Sequence, residues 1–323
     1  MRVRFLTLAM LALGLVPSQA SAYSIYVSNE KDNTITVVDS ETMEAIKTVK
    51  VGQRPRGIAV TKDGKFILVC ASDDDTVEIL DALTYERLGT LPSGPDPELL
   101  VLSPDGNTLY IANEDDNLIT IIDMASKSVI SEIPVGVEPE GMGISPDGKI
   151  LVNTSETTNM AHFVDTATNE ITQNVLVDQR PRFAEFRSDN SQVWVSSEIG
   201  GTVSVIDTKS FKIVKKISFE IPGLRSEAIQ PVGVRIAKDG KKAFVALGPA
   251  NRVAVIDVET FEILDYLLVG QRVWQLAFTP DEKLLISTNG VSNDISIIDV
   301  ESLKVLKSGQ VGQLPWGVAV SPR

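Results

Sequence analysis

Arginine, glutamate and tryptophan recur at a fixed spacing along the chain, and each has a functional group that a solvated loop does not require. Positions separated by 42 residues hold Arg56, Glu98, Glu140 and Arg182, and later Trp274 and Trp316. Arginine can bind carboxylates in a bidentate fashion, paired carboxyl groups can transfer protons, and tryptophan offers a flat apolar face. These residues are therefore candidates for a ligand-binding or partner-binding site.

Further arginines extend this candidate set. A second equivalent position, two residues earlier in the repeat, holds Arg54, Arg180 and Arg272. Arg225 lies in residues 219–230, the segment in which the regular spacing is broken by an insertion. Two interpretations stay open. The side chains form a surface for a ligand or partner, or they pair with one another and close a channel.

The sequence lacks the residues that many enzyme classes require. It has one histidine, His162, and one cysteine, Cys70. These counts exclude a three-histidine metal site, a Cys/His zinc site and a bis-histidine haem. No P-loop, dinucleotide glycine motif or G-x-S-x-G is present, and no EF-hand spacing suggests calcium. We therefore predict no metal and assign no catalytic residue, although Glu98 and Glu140 could act as an acid and a base.

A long repeat must position these side chains. Each unit contains an apolar strand that ends in aspartate, and these residues are Asp39, Asp81, Asp123, Asp165, Asp207, Asp257 and Asp299. The gap is 42 residues, except for one of 50 between Asp207 and Asp257. A period of this length with four short strands is typical of a propeller blade. The sequence predicts an all-β, seven-bladed β-propeller of four-stranded blades.

Turn and loop motifs repeat in the same register. Asp63-Gly64 and its equivalents predict type I′ hairpins between the first and second strands of a blade. V-G-x-x-P segments connect successive blades. Because these segments and the loops between second and third strands lie on the same face of a propeller, the candidate residues should surround one mouth of its channel. For one blade we predict strands at 57–61, 66–71, 76–81 and 85–92.

The chain ends predict export and ring closure. Residues 1–22 carry two arginines, an apolar stretch and Ala20-Ser21-Ala22, which is typical of a secretory signal peptide. The remaining 23–323 form the propeller, and a periplasmic location is expected. The last strand, 317–320, should join the blade begun by residues 23–50 and remove an open sheet edge.

The charge limits the class of partner. The formal net charge is −13, and cleavage of the signal peptide would make it −15. Such a protein repels nucleic acid and anionic lipid, and no later segment is apolar enough to span a membrane. An acidic set follows the second strands: Glu30, Asp73, Asp74, Glu114, Asp115, Glu156 and Glu198. It forms either a solvated rim or a docking surface for a basic partner such as a cytochrome.

Two segments carry a family resemblance. Tyr26-Val27-Ser28-Asn29 and Tyr110-Ile111-Ala112-Asn113 look like the Y-V-T-N signature, and the S-P-D-G turns at 103–106 and 145–148 accompany it. The chain thus resembles the YVTN-type seven-bladed β-propellers. Its Gln-Arg-Pro-Arg segments at 53–56 and 179–182, and residues 270–274, make it most similar to the PQQ-dependent catabolism-associated β-propeller proteins.

This resemblance implies a function. It implies a non-catalytic periplasmic binding or scaffold protein, accessory to quinoprotein alcohol oxidation, with the channel mouth as its interaction surface. The partner would be a quinoprotein dehydrogenase or a cytochrome, and the protein itself a monomer. PQQ has three carboxylates and a flat ring, so the arginines and tryptophans could bind it. The alternative is a hydrolase, because some lactonases are seven-bladed propellers, with the glutamates and arginines of the mouth in its active site.

Overall fold

Seven four-stranded antiparallel sheets form the protein in a computed structural model that describes residues 23–322. The predicted all-β, seven-bladed propeller is therefore confirmed. The predicted signal peptide, residues 1–22, lies outside the described residues and stays a prediction. The described part has two short 3-10 turns, Ser72–Asp74 and Ser226–Ala228. None of its helices is long and apolar enough to cross a membrane.

The strands follow the repeat in chain order. The first blade contains β1 (Tyr23–Asn29), β2 (Thr34–Asp39) and β3 (Glu44–Lys50). The second and third contain β4 (Pro55–Val60), β5 (Phe66–Ala71), β6 (Thr76–Asp81), β7 (Arg87–Pro92), β8 (Pro97–Leu102), β9 (Thr108–Asn113), β10 (Leu118–Asp123) and β11 (Ser128–Pro134). The fourth and fifth contain β12 (Pro139–Ile144), β13 (Ile150–Ser155), β14 (Met160–Asp165), β15 (Glu170–Leu176), β16 (Pro181–Phe186), β17 (Gln192–Ser197), β18 (Thr202–Asp207) and β19 (Ile213–Ser218). The remainder are β20 (Val234–Ile236), β21 (Lys242–Ala246), β22 (Arg252–Asp257), β23 (Ile263–Leu268), β24 (Val273–Phe278), β25 (Leu284–Asn289), β26 (Asp294–Asp299), β27 (Lys304–Gln310) and β28 (Pro315–Pro322).

The repeated aspartate is explained by the turn that follows it. Asp81 is the last residue of β6, and its Oδ1 accepts hydrogen bonds from the backbone N–H groups of Leu83 and Thr84, both at 2.8 Å. These bonds stabilise the ionised carboxyl and lower the pKa of Asp81. The aspartate thus fixes the turn that leads from the third strand of a blade to its exposed outer strand.

The Asp-Gly turns differ from the prediction. In a type I′ turn both central residues have positive φ, but only the glycine does so here: Gly64 has φ of 71° and Gly106 of 79°, whereas neither preceding aspartate has positive φ. Gly64 N–H instead bonds the Thr61 carbonyl at 2.8 Å, and Thr61 N–H bonds the Phe66 carbonyl at 2.9 Å, so the hairpin loop has four residues, 62–65, in place of two. Asp63 Oδ1 accepts from Lys65 N–H at 3.1 Å and supports this longer turn. The predicted type I′ geometry is wrong.

The last strand closes the ring. β28 pairs with β1, with Val320 opposite Ile25 and Val318 opposite Val27, which confirms the predicted closure. Each inner strand also contacts that of the next blade, including β24 with β28 and β28 with β4. A Cβ on Gly317 would lie 2.6 Å from the Arg56 carbonyl oxygen, so glycine is required at this approach.

Deletion of residues 316–323 should destabilise the whole ring. The deletion removes the Trp316 side chain, which is fully buried, and exposes the β1 edge. Loss of a buried tryptophan alone costs about 3–5 kcal/mol. We expect the thermal midpoint to fall by more than about 10 °C, as measured by circular dichroism on residues 23–315. An unchanged midpoint would contradict closure by β28.

Candidate functional site

The loops that carry the candidate residues converge at one mouth of the channel. Backbone N–H groups of the loops after the second strands bond carbonyls of the V-G-x-x-P loops, as from Glu156 to Glu138 and from Glu198 to Arg180, both at 2.8 Å. The residue before the proline is left-handed in five of these loops, with φ of 57° at Arg180, and Gln230 before Pro231 is the exception. Its N–H is held at 3.0 Å by Asn159 Oδ1, 21 residues earlier. This repeated clamp directs the arginines toward the channel axis.

One group of ions forms around Glu98, whose side chain is fully buried. Glu98 Oε1 lies 3.2 Å from Arg54 Nη1, and Oε2 lies 3.1 Å from Arg56 Nη1. Arg54 also binds Asp73 at 2.6 Å and Asp96. Arg56 reaches Glu30 at 3.5 Å. Each arginine is therefore shared between at least two carboxyl groups.

A second group forms around Arg182, which is 3% exposed. Its Nη1 contacts Glu140 Oε2 at 2.6 Å and also Glu156, and its Nε lies 3.6 Å from Glu198 Oε2. Arg180 binds Glu156 at 2.7 Å and Glu198 at 3.4 Å. The two arginines and three glutamates of this group are linked by five ion pairs, so the arrangement is a network rather than an isolated pair.

The tryptophans stack against the arginines. The Arg56 guanidinium lies 5.3 Å from the Trp316 ring centre. Arg272 lies 4.3 Å from the Trp274 ring, and Arg182 lies 5.7 Å from the same ring. Such contacts hold a guanidinium in place by cation–π attraction. Arg272 and Arg182 thus contact the Trp274 ring, and Arg56 contacts the Trp316 ring, so arginine occupies part of the surface of each ring.

The insertion contributes one mouth residue, but not the one predicted. Gln230, at its end, accepts a hydrogen bond from Arg272 Nη1 at 2.8 Å, and Arg272 Nη2 binds Glu198 at 2.8 Å. Arg225 is exposed and forms no ion pair within residues 23–322. The structure therefore brings together nine of the ten candidates and separates Arg225 from them, because the insertion places it on an exposed 3-10 turn.

Two pairs of glutamates, Glu98 with Glu114 and Glu140 with Glu156, each hold one proton between them. Burial, followed by the charges of Glu98 and Asp96, raises the pKa of Glu114 to about 8, so Glu114 donates a hydrogen bond to Glu98 at neutral pH. Burial also raises the pKa of Glu140, against the attraction of Arg182. Burial opposes the ionisation of Glu156, but the bond from Glu140 and the nearby arginines outweigh it and lower its pKa. Glu140 is thus the protonated partner.

We call these side chains the mouth cluster. It consists of five arginines and eight carboxyl groups: Arg54, Arg56, Arg180, Arg182, Arg272, Glu30, Asp73, Asp96, Glu98, Glu114, Glu140, Glu156 and Glu198. With Glu114 and Glu140 protonated, the charges are almost balanced. Of the two interpretations that the sequence leaves open, pairing of these residues with one another agrees with the contacts in the structure.

Three carboxyl groups of the mouth cluster could in principle hold a cation. Ligand oxygens of Asp96, Glu98 and Glu114 lie within 4.8 Å of one another. The Arg54 guanidinium already binds two of them, Asp96 and Glu98. Burial, followed by the Glu98 charge, raises the pKa of Asp96 to about 6. A metal ion would have to displace both Arg54 and the Glu114 proton.

The mouth cavity does not suit PQQ. It has a volume of about 320 Å³ and is lined by Arg54, Arg56, Arg180 and Arg182, but also by Glu30, Asp96, Glu114 and Glu140. A ligand with three carboxylates needs cations that are free to bind it. Each of these arginines already binds at least two carboxyl groups, and the neighbouring acids would repel the ligand.

The loop face around the mouth cluster is divided by charge, and Asp73, which pairs with Arg54, belongs to both. Six exposed aspartates lie on the loops after the second strands of three adjacent blades, and we call them the acidic arc: Asp32, Asp73, Asp74, Asp75, Asp115 and Asp116. The equivalent loops of the other four blades carry no acidic residue beyond the buried Glu156 and Glu198. They expose Ile199 by 53% and Val291 by 57%. We call these four loops the uncharged arc.

The pairing within blades was not predicted from the sequence. Glu30, Glu114, Glu156 and Glu198 were expected to form an acidic set separate from the arginines, whereas the structure interleaves them. A sequence pattern points to this arrangement. Glu98 and Glu114 are 16 residues apart, as are Glu140 and Glu156. Residues at this spacing lie at the start of an inner strand and in the loop after the second strand of the same blade, so their side chains can meet.

Known proteins share this fold. The family model described as "Choice-of-anchor I domain" matches residues 117–304, and "Lactonase, 7-bladed beta-propeller" matches residues 18–90. None of the curated proteins matches the sequence. Among solved structures, hydrazine synthase of Kuenenia stuttgartiensis is similar, with a TM-score of 0.80 and 22% identity over 86% of this chain and 92% of that one. A functionally unknown protein from Desulfotomaculum acetoxidans has a TM-score of 0.78 and 16% identity over 93% and 99%.

Replacement of Arg182 by methionine should destabilise the protein far more than loss of a surface pair. The change takes the buried cation away from Glu156 and Glu198, which keep only the more exposed Arg180 and Arg272. Breaking such a buried ion pair costs about 3–5 kcal/mol. Glu140→Gln should cost less than about 1 kcal/mol, because Glu140 is already protonated. Urea unfolding measures both changes.

The matched control for this prediction is Arg187→Met. Arg187 pairs with the exposed Asp189 and Glu259, so we expect a loss of at most about 1 kcal/mol. Equal losses for Arg182→Met and Arg187→Met would contradict a structural role for the buried network.

Proposed function

The chain belongs to the choice-of-anchor I domain family, and on that premise we propose that it is a non-catalytic binding propeller that docks a basic partner protein on its loop face. The observation that carries this proposal is the division of that face into the acidic arc and the uncharged arc. The arginines that could oppose a basic partner are held inside the mouth cluster by buried carboxylates. The exposed charge of the three acidic loops is therefore almost entirely negative.

The acidic arc supports rapid association. Asp115 and Asp116 are exposed, and no hydrogen bond or ion pair joins their side chains to other described residues. Asp74 is also exposed, but it accepts a bond from Gln53 N–H at 2.8 Å and so is fixed in orientation. Lys31 is the one exposed cation on these three loops. A cluster of like charges on one side of a face steers a partner of opposite charge and orients it.

The uncharged arc supports close contact beside the steering charges. Ile199 and Val291 are exposed by more than half, and glycines accompany them at 200, 201 and 290. Small and apolar loop residues can be desolvated at little cost when a partner covers them. A partner with a basic rim and an apolar contact region fits both arcs.

The finer predictions from the sequence belong to this proposal. The predicted periplasmic location rests on the signal-peptide pattern of residues 1–22. Membership in the YVTN-type or PQQ-associated group rests on the sequence resemblance, and so does a quinoprotein dehydrogenase or cytochrome as partner. A cytochrome with a basic surface has the chemistry that the loop face would bind. An accessory role in PQQ-dependent oxidation has no further support, and PQQ itself does not suit the mouth cavity.

A lactonase is the second candidate, favoured by the lactonase family match at residues 18–90 and by the hydrogen-bonded glutamates of the mouth. Protonated Glu140 beside ionised Glu156 resembles an acid and base pair. However, Glu140 is 1% exposed and bound to Arg182, so a substrate would have to open the network. Lactone hydrolysis that is lost in Glu140→Gln but kept in Glu132→Gln would favour this candidate over docking.

Neutralisation of Asp115 and Asp116 should slow partner binding. We expect Asp115→Asn with Asp116→Asn to reduce the association rate of a basic c-type cytochrome by about two- to tenfold at low ionic strength, because two steering charges are lost. Residues 23–323 are immobilised for surface plasmon resonance, and the cytochrome is injected at increasing salt concentrations.

Glu132→Gln with Glu170→Gln provides the charge-matched control. Both residues are exposed on outer strands, away from the loop face, so the association rate should stay close to that of the unmodified protein. An acidic cytochrome of similar size should not bind. Equal rates for the two double variants, or a rate that is insensitive to salt, would contradict docking on the acidic arc.

A further inference from the structure

The channel contains a cavity that is separate from the mouth cluster. All seven inner strands contribute to this axial cavity, which has a volume of about 180 Å³. It shares wall residues, including Ile58, Glu185 and Arg235, with a wider funnel of about 720 Å³. Pro146, Ser188 and Pro280 also line the funnel, and they lie beside the turns between first and second strands. The funnel therefore opens on the face opposite the loop face.

The repeat explains why the channel is open at this level. Glu185 and Arg235 occupy one equivalent position in adjacent blades, and Arg235 Nη1 lies 3.4 Å from Glu185 Oε2. The other five blades have small residues there: Ala59, Val101, Gly143, Ala277 and Ala319. An ion pair on one side and small side chains on the other leave space across the axis. The two charges also neutralise each other, so the cavity offers an ionic ligand little electrostatic attraction.

Gln275 is a polar side chain of the axial cavity that lacks a hydrogen-bond partner among the described residues. It lines the axial cavity and is 3% exposed, and neither its Oε1 nor its Nε2 has a hydrogen-bond partner among the described residues. The equivalent positions in the other blades hold glycine, leucine or phenylalanine. Buried amides are normally hydrogen-bonded, because an unpaired donor or acceptor destabilises the fold. Gln275 thus offers a donor and an acceptor side by side.

The surrounding groups define what could bind Gln275. Trp316 lines the same cavity, and its buried Nε1–H also has no partner among residues 23–322. The remaining walls are mainly apolar and include Ile58, Ile144 and Val318. Arg235 is fixed by its contact with the Phe183 ring at 4.6 Å and by its bond to the Val234 carbonyl at 2.8 Å. The site combines a neutral polar end with an apolar body.

We propose that the axial cavity and its funnel bind a small amphiphilic molecule with a neutral, carboxamide-like head. The head forms paired hydrogen bonds with the Gln275 amide, and the apolar body extends into the funnel. This pairing uses both free groups of Gln275 at once, which an ether or a thioether cannot do. The site lies on the other side of the mouth cluster from the proposed docking surface and does not depend on it.

Hexanamide is the probe for this proposal, with hexan-1-ol and hexanoate for comparison. Isothermal titration of residues 23–323 should show saturable binding of hexanamide that is at least about tenfold tighter than that of hexanoate, because a carboxylate lacks the donor and is costly to bury. Hexan-1-ol should be intermediate. Equal affinity for all three would overturn the assignment of the head group.

Gln275→Leu should weaken hexanamide binding at least tenfold and, without the ligand, raise the thermal midpoint, since it removes a buried unpaired amide. Gln173→Leu makes the same change on an exposed outer strand and should alter neither property. Ala59→Phe should block the funnel while Gln275 stays in place, which keeps the proposal testable if Gln275→Leu does not fold. Binding that survives both Gln275→Leu and Ala59→Phe, or a crystal soaked with hexanamide that shows only water beside Gln275, would overturn the proposal.

Discussion

Charge compensation around buried arginines governs the mouth of this propeller. The seven-fold ring brings one position of every blade to the channel opening, and any charged residue there loses most of its solvent. Arg182 is retained at 3% exposure because Glu140, Glu156 and Glu198 surround it. The same requirement explains the shared protons, since the cluster would otherwise hold more negative than positive charge.

This compensation determines which surfaces are available for function. Arginines that bind carboxylates inside the mouth cannot also bind an anionic ligand, so the exposed aspartates of the acidic arc dominate the loop face. At the opposite end of the channel, Glu185 and Arg235 neutralise each other, and the Gln275 amide and the Trp316 indole N–H have no partner among the described residues. The two ends therefore have different chemistry, although they are built from the same repeated strands.

The fold was predictable from sequence because a repeat imposes the same geometry seven times. The aspartates that end the third strands located every blade, and the last strand indicated closure. Turn type was not predictable from Asp-Gly alone, because the hydrogen bonds from Gly64 to Thr61 and from Thr61 to Phe66 give a four-residue hairpin loop. The ion pairs were also not predictable, since Arg182 binds carboxyl groups from three separate segments. Alignment of the repeats does show Glu185, Arg235 and Gln275 as departures from small or apolar residues, but only the structure shows that they share one cavity.

The central claim is that the arginines of the mouth are held by carboxylates and are not available to an anionic ligand. Calorimetric titration of residues 23–323 with PQQ tests it most directly, because PQQ offers three carboxylates to the same guanidinium groups. We expect no saturable heat and no shift of the thermal midpoint at ligand concentrations up to about 1 mM, an affinity limit of roughly −4 kcal/mol. Saturable binding that is lost on replacement of Arg54 by glutamine would contradict the claim.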